Sequence, residues 1–229
     1  MFGHPLKEVK ASGGVTELCR GIIDFKKGLI KMLYALLGDL HSNIEDTKAV
    51  LAHIQHTAKD AKILGLGDLY ECTVSKKKAQ TISGLPLQKA AIVESDFEDL
   101  LTFPSIRGNQ EERITRVTGI ERFKELPETI EIDGATLMHG HQFQWSVTWQ
   151  PTFPPFKESL LFFGHSHESG LYHRNKKLRI RIRFGQPIAL QEKQYGINVG
   201  SVVGHREWCL YDSHKRTVTF MCAPSVENV

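Results

Sequence analysis

Short hydrophobic runs alternate with amphipathic stretches between Met32 and about residue 126. LYALL at residues 33–37 is continuously apolar, which is typical of a strand buried on both faces. The segments that follow are predicted in this order: helix 43–58, strand 62–66, helix 85–101, strand 103–107 and helix 111–126. This alternation predicts βαβ units around a largely parallel sheet.

The pattern becomes richer in strands after residue 127. ETIEIDGATLMHG predicts two strands joined at Asp133-Gly134, a dipeptide that suits a tight hairpin turn. Further strands are predicted at ESLLFF, LRIRIRF, YGINV and TVTFMCA. In LRIRIRF the arginines Arg179, Arg181 and Arg183 alternate with apolar residues, which predicts one wet face. We interpret that face as solvated, with a nucleic-acid track as the alternative.

Residues 1–31 differ from the rest of the chain. They contain a Ser-Gly-Gly break and a short basic amphipathic stretch, LCRGIIDFKKGLIK. We interpret them as a loosely packed or non-native extension, with a partner-binding helix as the alternative. The domain is expected to span residues 32–229, and a chain that begins at Met32 is expected to fold and bind metal. Residues 72–90, rich in Lys, Ser and Thr, are the candidate excursion near a ligand.

The composition is that of an ordinary globular protein, with 41% hydrophobic and 24% charged residues. A net charge of +3 argues neither for nor against nucleic acid, and the oligomeric state stays open. The four cysteines form no Cys-x-x-Cys pair, which excludes a zinc ribbon and favours a reducing, cytoplasmic location. No apolar run approaches the roughly 20 residues needed to cross a bilayer, and no signal-peptide core is present.

Five of the apolar runs end at or near a glycine and are followed by Asp, Asn or His. These residues are Asp39 and His41, Asp68, Asn109, His139 and His141, and His165 and His167. The carboxyl ends of strands form the ligand edge of an open α/β sheet. We therefore expect these side chains to surround one pocket.

The residue types and spacings in this set suit a metal site. Asp39 and His41 are two residues apart, as are His165 and His167, so an extended backbone would place both members of each pair on one side. Gly38, Gly67, Gly108, Gly140 and Gly164 would let the backbone turn beside a crowded site. Carboxylate, imidazole and amide ligands without thiolate suit Mn²⁺, Fe or Zn²⁺.

GDLHSN, GD, GNQE, HG and GHSH occur in order, and this set resembles the calcineurin-like metallophosphoesterase superfamily. INVGS at 197–201 is similar to a segment of its small bacterial and archaeal phosphodiesterase-like branch. The resemblance covers residues 32–222. It implies a four-layer αββα sandwich, in which two mixed β-sheets are flanked by helices.

The resemblance also implies a role for each candidate residue. Asp39, His41 and His167 would hold one metal ion, Asn109, His139 and His165 a second, and Asp68 would bridge both. The ions would be divalent, with Mn²⁺ preferred and Fe, Zn²⁺, Ni²⁺ or Co²⁺ as alternatives. A hydroxide shared by the two ions would attack a phosphate ester, a nucleotide or other phosphodiester rather than a monoester. Asp68, Asn109, Gln110 and His141 form the expected catalytic set.

One departure from the family pattern concerns the residue after Asn109. Many members have histidine there, whereas this chain has Gln110, which donates a hydrogen bond but cannot act as a general acid. We therefore expect a preference for good leaving groups. His141 either faces the site, or it supports a ligand from behind or lies at the surface. The alternative function is a weakly active or inactive interaction module, as in the retromer subunit with this fold.

Three further charged residues lie near candidate ligands in the sequence, and two of them have two interpretations each. Glu111 either orients a neighbour or favours a helix N-terminus, and Glu71 is near the ligands in sequence only. Arg107 either contacts phosphate or forms a salt bridge.

Overall fold

The computed structural model describes residues 32–191 and 194–224 of the 229-residue chain. The predicted N-terminal extension, residues 1–31, lies outside the described residues. The strands are β1 Leu33–Leu37, β2 Lys62–Gly65, β3 Glu71–Cys72, β4 Ala91–Ile92, β5 Thr129–Ile132, β6 Ala135–Met138, β7 Gln144–Trp145, β8 Pro151–Thr152, β9 Leu160–Phe163, β10 Gly170–His173, β11 Lys176–Lys177, β12 Pro187–Ala189, β13 Tyr195–Asn198, β14 Glu207–Asp212 and β15 Thr217–Cys222. The helices are α1 Ile44–Thr57, α2 Leu87–Ala90, α3 Ser95–Glu98 and α4 Asn109–Thr118, with 3₁₀ turns at Lys78–Gln80 and Glu121–Glu125.

Two mixed sheets form the centre of the domain. The five-stranded sheet has the order β12-β15-β14-β1-β2, in which β1 and β2 are parallel. The six-stranded sheet has the order β11-β10-β13-β9-β6-β5, in which β9 is parallel to both neighbours. The predicted hairpin at Asp133-Gly134 is confirmed as the β5–β6 turn.

Alternate residues of the central strands face different layers, as the two-residue period of a strand requires. In β1, Leu36 packs into the core between the sheets, whereas Leu37 packs into the core that includes the helices. In β9, Phe162 joins the inter-sheet core, and Phe163 faces outward. The predicted sandwich of two packed mixed sheets is confirmed.

The two outer layers differ in kind. Buried residues of α1, α3 and α4 join the core on one face of the five-stranded sheet. The outward face of β9 packs instead against aromatic side chains of residues 143–156, among them Phe143, Trp145 and Phe153. Among the described residues, aromatic side chains rather than a helix cover this part of the six-stranded sheet.

The predicted helix at 85–101 is wrong, although its apolar spacing is helical. Only α2 and α3 form there, and Ala91–Ile92 between them pairs with Glu71–Cys72 as a small antiparallel ladder. The Ser42 hydroxyl donates to the Ile92 carbonyl at 2.6 Å. Tertiary pairing thus overrides the local pattern.

Three other predictions need correction. The predicted strand at 103–107 is reduced to one parallel bridge between Gly65 and Ser105, beside Pro104, which lacks an N–H to pair. The β10–β11 ladder ends at Lys177, so LRIRIRF lies beyond it and forms no strand, but its three arginines are exposed as predicted. The predicted helix 111–126 breaks at Gly119, which ends α4 in the left-handed conformation at φ 77°.

Within the described part of the chain, no helix is both long and apolar enough to span a membrane.

Candidate metal centre

The candidate ligands come from the carboxyl ends of strands in both sheets. Asp39 and Asp68 follow the parallel strands β1 and β2, and His139 and His165 follow the parallel strands β6 and β9. Asn109 is the first residue of α4. The prediction of one ligand edge on a largely parallel sheet is therefore corrected: two packed sheets share the site.

Asp39, His41 and His167 form the first group, whose potential ligand atoms all lie within 4.8 Å of one another. His167 Nε2 lies 3.3 Å from both Asp39 Oδ1 and His41 Nε2. Asp39 Oδ2 accepts a hydrogen bond from the His165 N–H at 2.9 Å, but the buried Oδ1 accepts none. A buried carboxylate oxygen without a donor is costly unless a cation faces it.

Asp68, His139 and His165 form the second group, also within 4.8 Å. His139 Nε2 lies 3.3 Å from Asp68 Oδ2 and 3.3 Å from the side-chain oxygen of Asn109. His139 Nδ1 lies 2.7 Å from the Leu66 carbonyl, which can only accept, so Nδ1 carries the proton and donates. His139 Nε2 is therefore the atom left to bind a cation.

The two groups meet at one oxygen of Asp68. Asp68 Oδ2 lies 3.8 Å from His41 Nε2 in the first group and 3.3 Å from His139 Nε2 in the second. The other oxygen, Oδ1, accepts the Gln110 backbone N–H at 2.8 Å. The carboxylate is thus held on one side by the protein and turned on the other toward both groups.

The donor set fits divalent cations in both chemistry and spacing. Adjacent ligand atoms around a tetrahedral cation with bonds of about 2.0–2.1 Å are separated by about 3.3 Å. This is the separation of His167 Nε2 from Asp39 Oδ1 and of His139 Nε2 from Asp68 Oδ2. Imidazole, carboxylate and amide oxygen are ligands of Mn²⁺, Fe and Zn²⁺.

The backbone at the site is unusual. Asp39, His41, Asp68, His165 and His167 all have positive φ, between 49° and 69°. Such conformations are uncommon outside glycine and cluster at functional sites. The prediction that an extended backbone aligns the two-residue pairs is therefore wrong, and His165 and His167 belong to different groups.

Glycine is required where the backbone touches the ligand carboxylates. A methyl group at Gly108 would collide with the Asp68 carboxylate and its backbone N–H. At Gly164 it would collide with Asp39 Oδ2. The glycines that mark the strand ends in the sequence therefore make room for the candidate ligands as well as for turns.

Two glutamates support the site. The sequence left two interpretations open for Glu111 and assigned no role to Glu71. Glu111 is fully buried, and its carboxylate accepts the backbone N–H groups of Asp68, Tyr70 and Gly108 at 2.8–3.1 Å. It is the orienting residue of the two interpretations, and it also caps α4. Glu71 Oε2 lies 2.5 Å from His41 Nδ1, although the sequence placed it near the ligands by position alone.

Asn198, from the INVGS segment, holds the turn that follows β9. Its side-chain amide donates to the Gly164 carbonyl at 2.9 Å and to the Ser166 hydroxyl at 2.8 Å. Asn198 is buried, and its two hydrogen bonds hold Gly164 and Ser166, the residues on either side of His165.

The protonation of the second group reflects its crowded charges. Burial alone would lower the pKa of His139, but the Asp68 carboxylate raises it to about 10. Burial and the neighbouring His139 lower the pKa of His165 to about 4. Burial and Asp68 raise the pKa of Glu111 to about 7. The second group therefore stabilises one positive charge beside Asp68, in the place where a cation would lie.

The remaining predicted catalytic residues differ in position. The Gln110 side chain is buried, and its oxygen accepts the Cys72 N–H at 3.1 Å and contacts the Arg113 guanidinium. The His141 ring lies 5.4 Å from the His139 ring, between centroids, with Nε2 3.2 Å from Glu112. His141 thus borders the second group, whereas the Gln110 oxygen is engaged with the protein.

Arg107 forms salt bridges with Glu112 and Glu128. Its guanidinium donates to Glu128 at 2.6 Å and to the Lys124 carbonyl at 3.1 Å, and its Nε lies 3.6 Å from Glu112. Of the two interpretations of Arg107, the salt bridge describes these contacts.

Comparisons with known proteins identify the family and the fold. A family model described as the calcineurin-like phosphoesterase superfamily domain matches residues 32–208. The uncharacterized protein MJ0912 of Methanocaldococcus jannaschii is 23% identical over 207 residues, which cover 80% of this chain and 84% of that protein. The crystal structure of a metallophosphoesterase from Sphaerobacter thermophilus superimposes with a TM-score of 0.58 at 17% identity, covering 86% of this chain and 89% of that one. At this identity the structural match establishes the fold alone.

Proposed function

The chain belongs to the calcineurin-like phosphoesterase superfamily, and from that premise we propose that it is a metal-dependent phosphodiesterase. The observation that carries the proposal is the position of Asp68 Oδ2, which faces both His41 Nε2 and His139 Nε2. A single carboxylate oxygen between two ligand groups suits a pair of cations a few ångströms apart.

The residues of the two groups would hold the ions. Asp39, His41 and His167 would bind one, Asn109, His139 and His165 the other, and Asp68 both. Mn²⁺ is the preferred ion, since carboxylate and amide oxygens accompany the imidazoles. When bound, the ions would supply a water of lowered pKa and neutralise charge on the phosphate.

The protein groups around the ions prepare the site. Leu66 and Glu71 fix the rings of His139 and His41, so that each presents Nε2 to the cluster. His141 borders the second group and is the neighbour from which a leaving oxygen would receive its proton. A balanced reaction breaks one P–O bond, adds water and releases an alcohol or phenol and a phosphate monoester.

A diester is preferred to a monoester for an electrostatic reason. A diester carries one negative charge, whereas a monoester dianion carries two and needs more cationic contacts. Arg107, the arginine nearest to a ligand in sequence, is engaged by Glu112 and Glu128. Because these two glutamates already neutralise the Arg107 guanidinium, it is less able to bind the second charge of a monoester, and the diester is favoured.

A cytoplasmic location is also part of the proposal. Among the described residues, Cys72, Cys209 and Cys222 are free thiols. Cys72 and Cys209 are buried and Cys222 is exposed, and free thiols suit a reducing compartment.

The test compares bis(4-nitrophenyl) phosphate with 4-nitrophenyl phosphate, using protein loaded with Mn²⁺. We expect faster turnover of the diester, its loss on chelation, and its loss in His167→Ala. The exposed His205→Ala serves as the matched control and should keep full activity. A protein that binds no metal and turns over neither ester would instead favour the interaction module.

A further inference from the structure

A small aromatic hairpin lies beside the second ligand group. β7 and β8 pair through Gln144–Thr152 and Trp145–Pro151, and the turn between them carries Trp149. The indole rings of Trp145 and Trp149 lie 5.8 Å and 6.2 Å from the His165 ring, between centroids, and 5.6 Å from each other. Two indoles therefore border a candidate metal ligand.

The two tryptophans are held differently. Trp145 is fixed, since its Nε1 donates to the Gly140 carbonyl at 2.8 Å and its ring stacks on Phe143. Trp149 keeps 57% of its surface exposed, although it packs near Trp145. Large aromatic side chains are normally buried, so an exposed indole beside a reaction site is a candidate ligand contact.

The turn is built to present Trp149. Its φ is 57°, a conformation that a bulky side chain adopts only where its surroundings impose it. The Trp149 N–H donates to the Ser146 carbonyl at 3.0 Å. The Ser146 hydroxyl accepts the N–H groups of Thr148 and Gln150 at 3.3 Å and 3.0 Å. These bonds fix the turn before any substrate arrives.

We infer that Trp149, backed by Trp145, is a stacking platform for a flat aromatic group of the substrate, and that this group is a nucleobase. The inference rests on the proposed function, because it places the phosphate of the same ester at the metal groups next to His165. In a nucleotide the phosphate is bonded to the sugar, and the sugar carries the base. A base would therefore lie one sugar away from the phosphate. Base–aromatic stacking tolerates any base, since every base has a π-face.

The polarity of the turn favours a base over a lipid surface. Val147 and Trp149 are its exposed large apolar residues, and Ser146, Thr148 and Gln150 alternate with them. A patch this small with polar neighbours suits an amphipathic ring. Insertion into a membrane would need a broader apolar face.

The test measures binding rather than turnover. The Mn²⁺-loaded protein is titrated with a nonhydrolysable adenosine phosphonate and with the matching ribose phosphonate that lacks the base. Tryptophan fluorescence reports binding, because two of the three tryptophans lie in the hairpin. We expect the adenosine compound to bind about 10-fold more tightly, the effect of one base–aromatic stack. Calorimetry provides an independent affinity.

Three variants assign the effect. Trp149→Ala should abolish the preference for the adenosine compound, and Trp149→Phe should keep most of it. Val147→Ala, in the same turn and fully exposed, should leave it unchanged. Equal affinity of the wild type for both compounds, or a preference that survives Trp149→Ala, would overturn the inference. So would a protein without base preference that binds phosphatidylglycerol vesicles through Trp149.

The outcomes separate this inference from the proposed function. Hydrolysis of phosphodiesters without a base preference would overturn the stacking platform and leave the phosphodiesterase. A base preference lost in Trp149→Ala, in a protein that hydrolyses none of the esters tested, would overturn the phosphodiesterase and support the platform.

Discussion

Glu71 Oε2 lies 2.5 Å from His41 Nδ1, while the other nitrogen of the same ring, Nε2, lies 3.3 Å from His167 Nε2. The carboxylate accepts a hydrogen bond from Nδ1–H and so leaves the Nε2 lone pair to the first ligand group. A carboxylate behind a metal-binding histidine fixes the tautomer and orientation of the ring and raises its basicity.

Removing this carboxylate should weaken metal binding without touching a ligand. We expect Glu71→Ala to lower Mn²⁺ affinity at the first group about 10–100-fold. Glu71→Gln, whose amide oxygen can still accept a hydrogen bond from Nδ1–H, should lose less affinity. Glu94→Ala, at an exposed position in the same region, is the control. Isothermal titration calorimetry measures the affinities, and unchanged binding in Glu71→Ala would refute the positioning role.

Asp68 should matter to both ions and Asp39 to one. Asp68 Oδ2 faces both groups, whereas Asp39 Oδ1 faces His41 and His167 of the first group. We expect Asp68→Asn to lower the content of both ions and remove nearly all turnover in a folded protein. Asp39→Asn should lower the content of one. Elemental analysis gives metal per chain, and wild-type turnover of Asp68→Asn at unchanged metal content would contradict a bridging carboxylate.

The sequence predicted the strands that deliver the ligands because their signals are local. LYALL and LLFF are continuous apolar runs that stop at Gly38 and Gly164, and both strands form as predicted. What these strands do beyond their ends depends on neighbours in space. Asp39 and His165 turn left-handed in a crowded site, so the two-residue spacing did not predict which group each side chain joins.

The support of the site could not be predicted from local pattern. Glu71 reaches His41 across 30 residues, on a strand that exists only because Ala91–Ile92 pairs with it. The same pairing replaced the helix predicted at 85–101. The aromatic residues that pack over β9 lie in a segment for which the sequence predicted no helix or strand. Their packing on the sheet was therefore found only in the three-dimensional structure.

Metal binding at the second group should release a proton. His139, whose pKa is raised to about 10 by Asp68, is protonated near pH 7 and must lose the Nε2 proton to donate to a cation. We expect about one proton released per ion bound and an affinity that rises about tenfold per pH unit toward pH 10. Calorimetry in buffers of different ionisation enthalpy measures the released protons. Release of none would show that His139 is neutral before the metal arrives.

Gln110 and His141 can be separated by leaving-group chemistry. The Gln110 oxygen accepts the Cys72 N–H, so Gln110→Ala leaves a buried donor unpaired. We expect this variant to lose about 1–3 kcal/mol of unfolding free energy in urea.

The predicted role of Gln110 in assisting the leaving group stays a prediction, but the contact between its oxygen and the Cys72 N–H does not favour it. The ratio of kcat/KM for an aryl ester to that for an alkyl ester should therefore stay unchanged in Gln110→Ala.

His141→Ala should change that same ratio. General acid help is worth about 10²–10⁴-fold and matters most when the leaving group is a poor one. His141 borders the second group, with Nε2 3.2 Å from Glu112, so we expect its loss to slow alkyl esters far more than aryl esters. Metal content must be equal in both proteins for the comparison to hold. If Gln110→Ala shifts the ratio and His141→Ala does not, the leaving-group role belongs to Gln110, by a movement of its side chain away from Cys72.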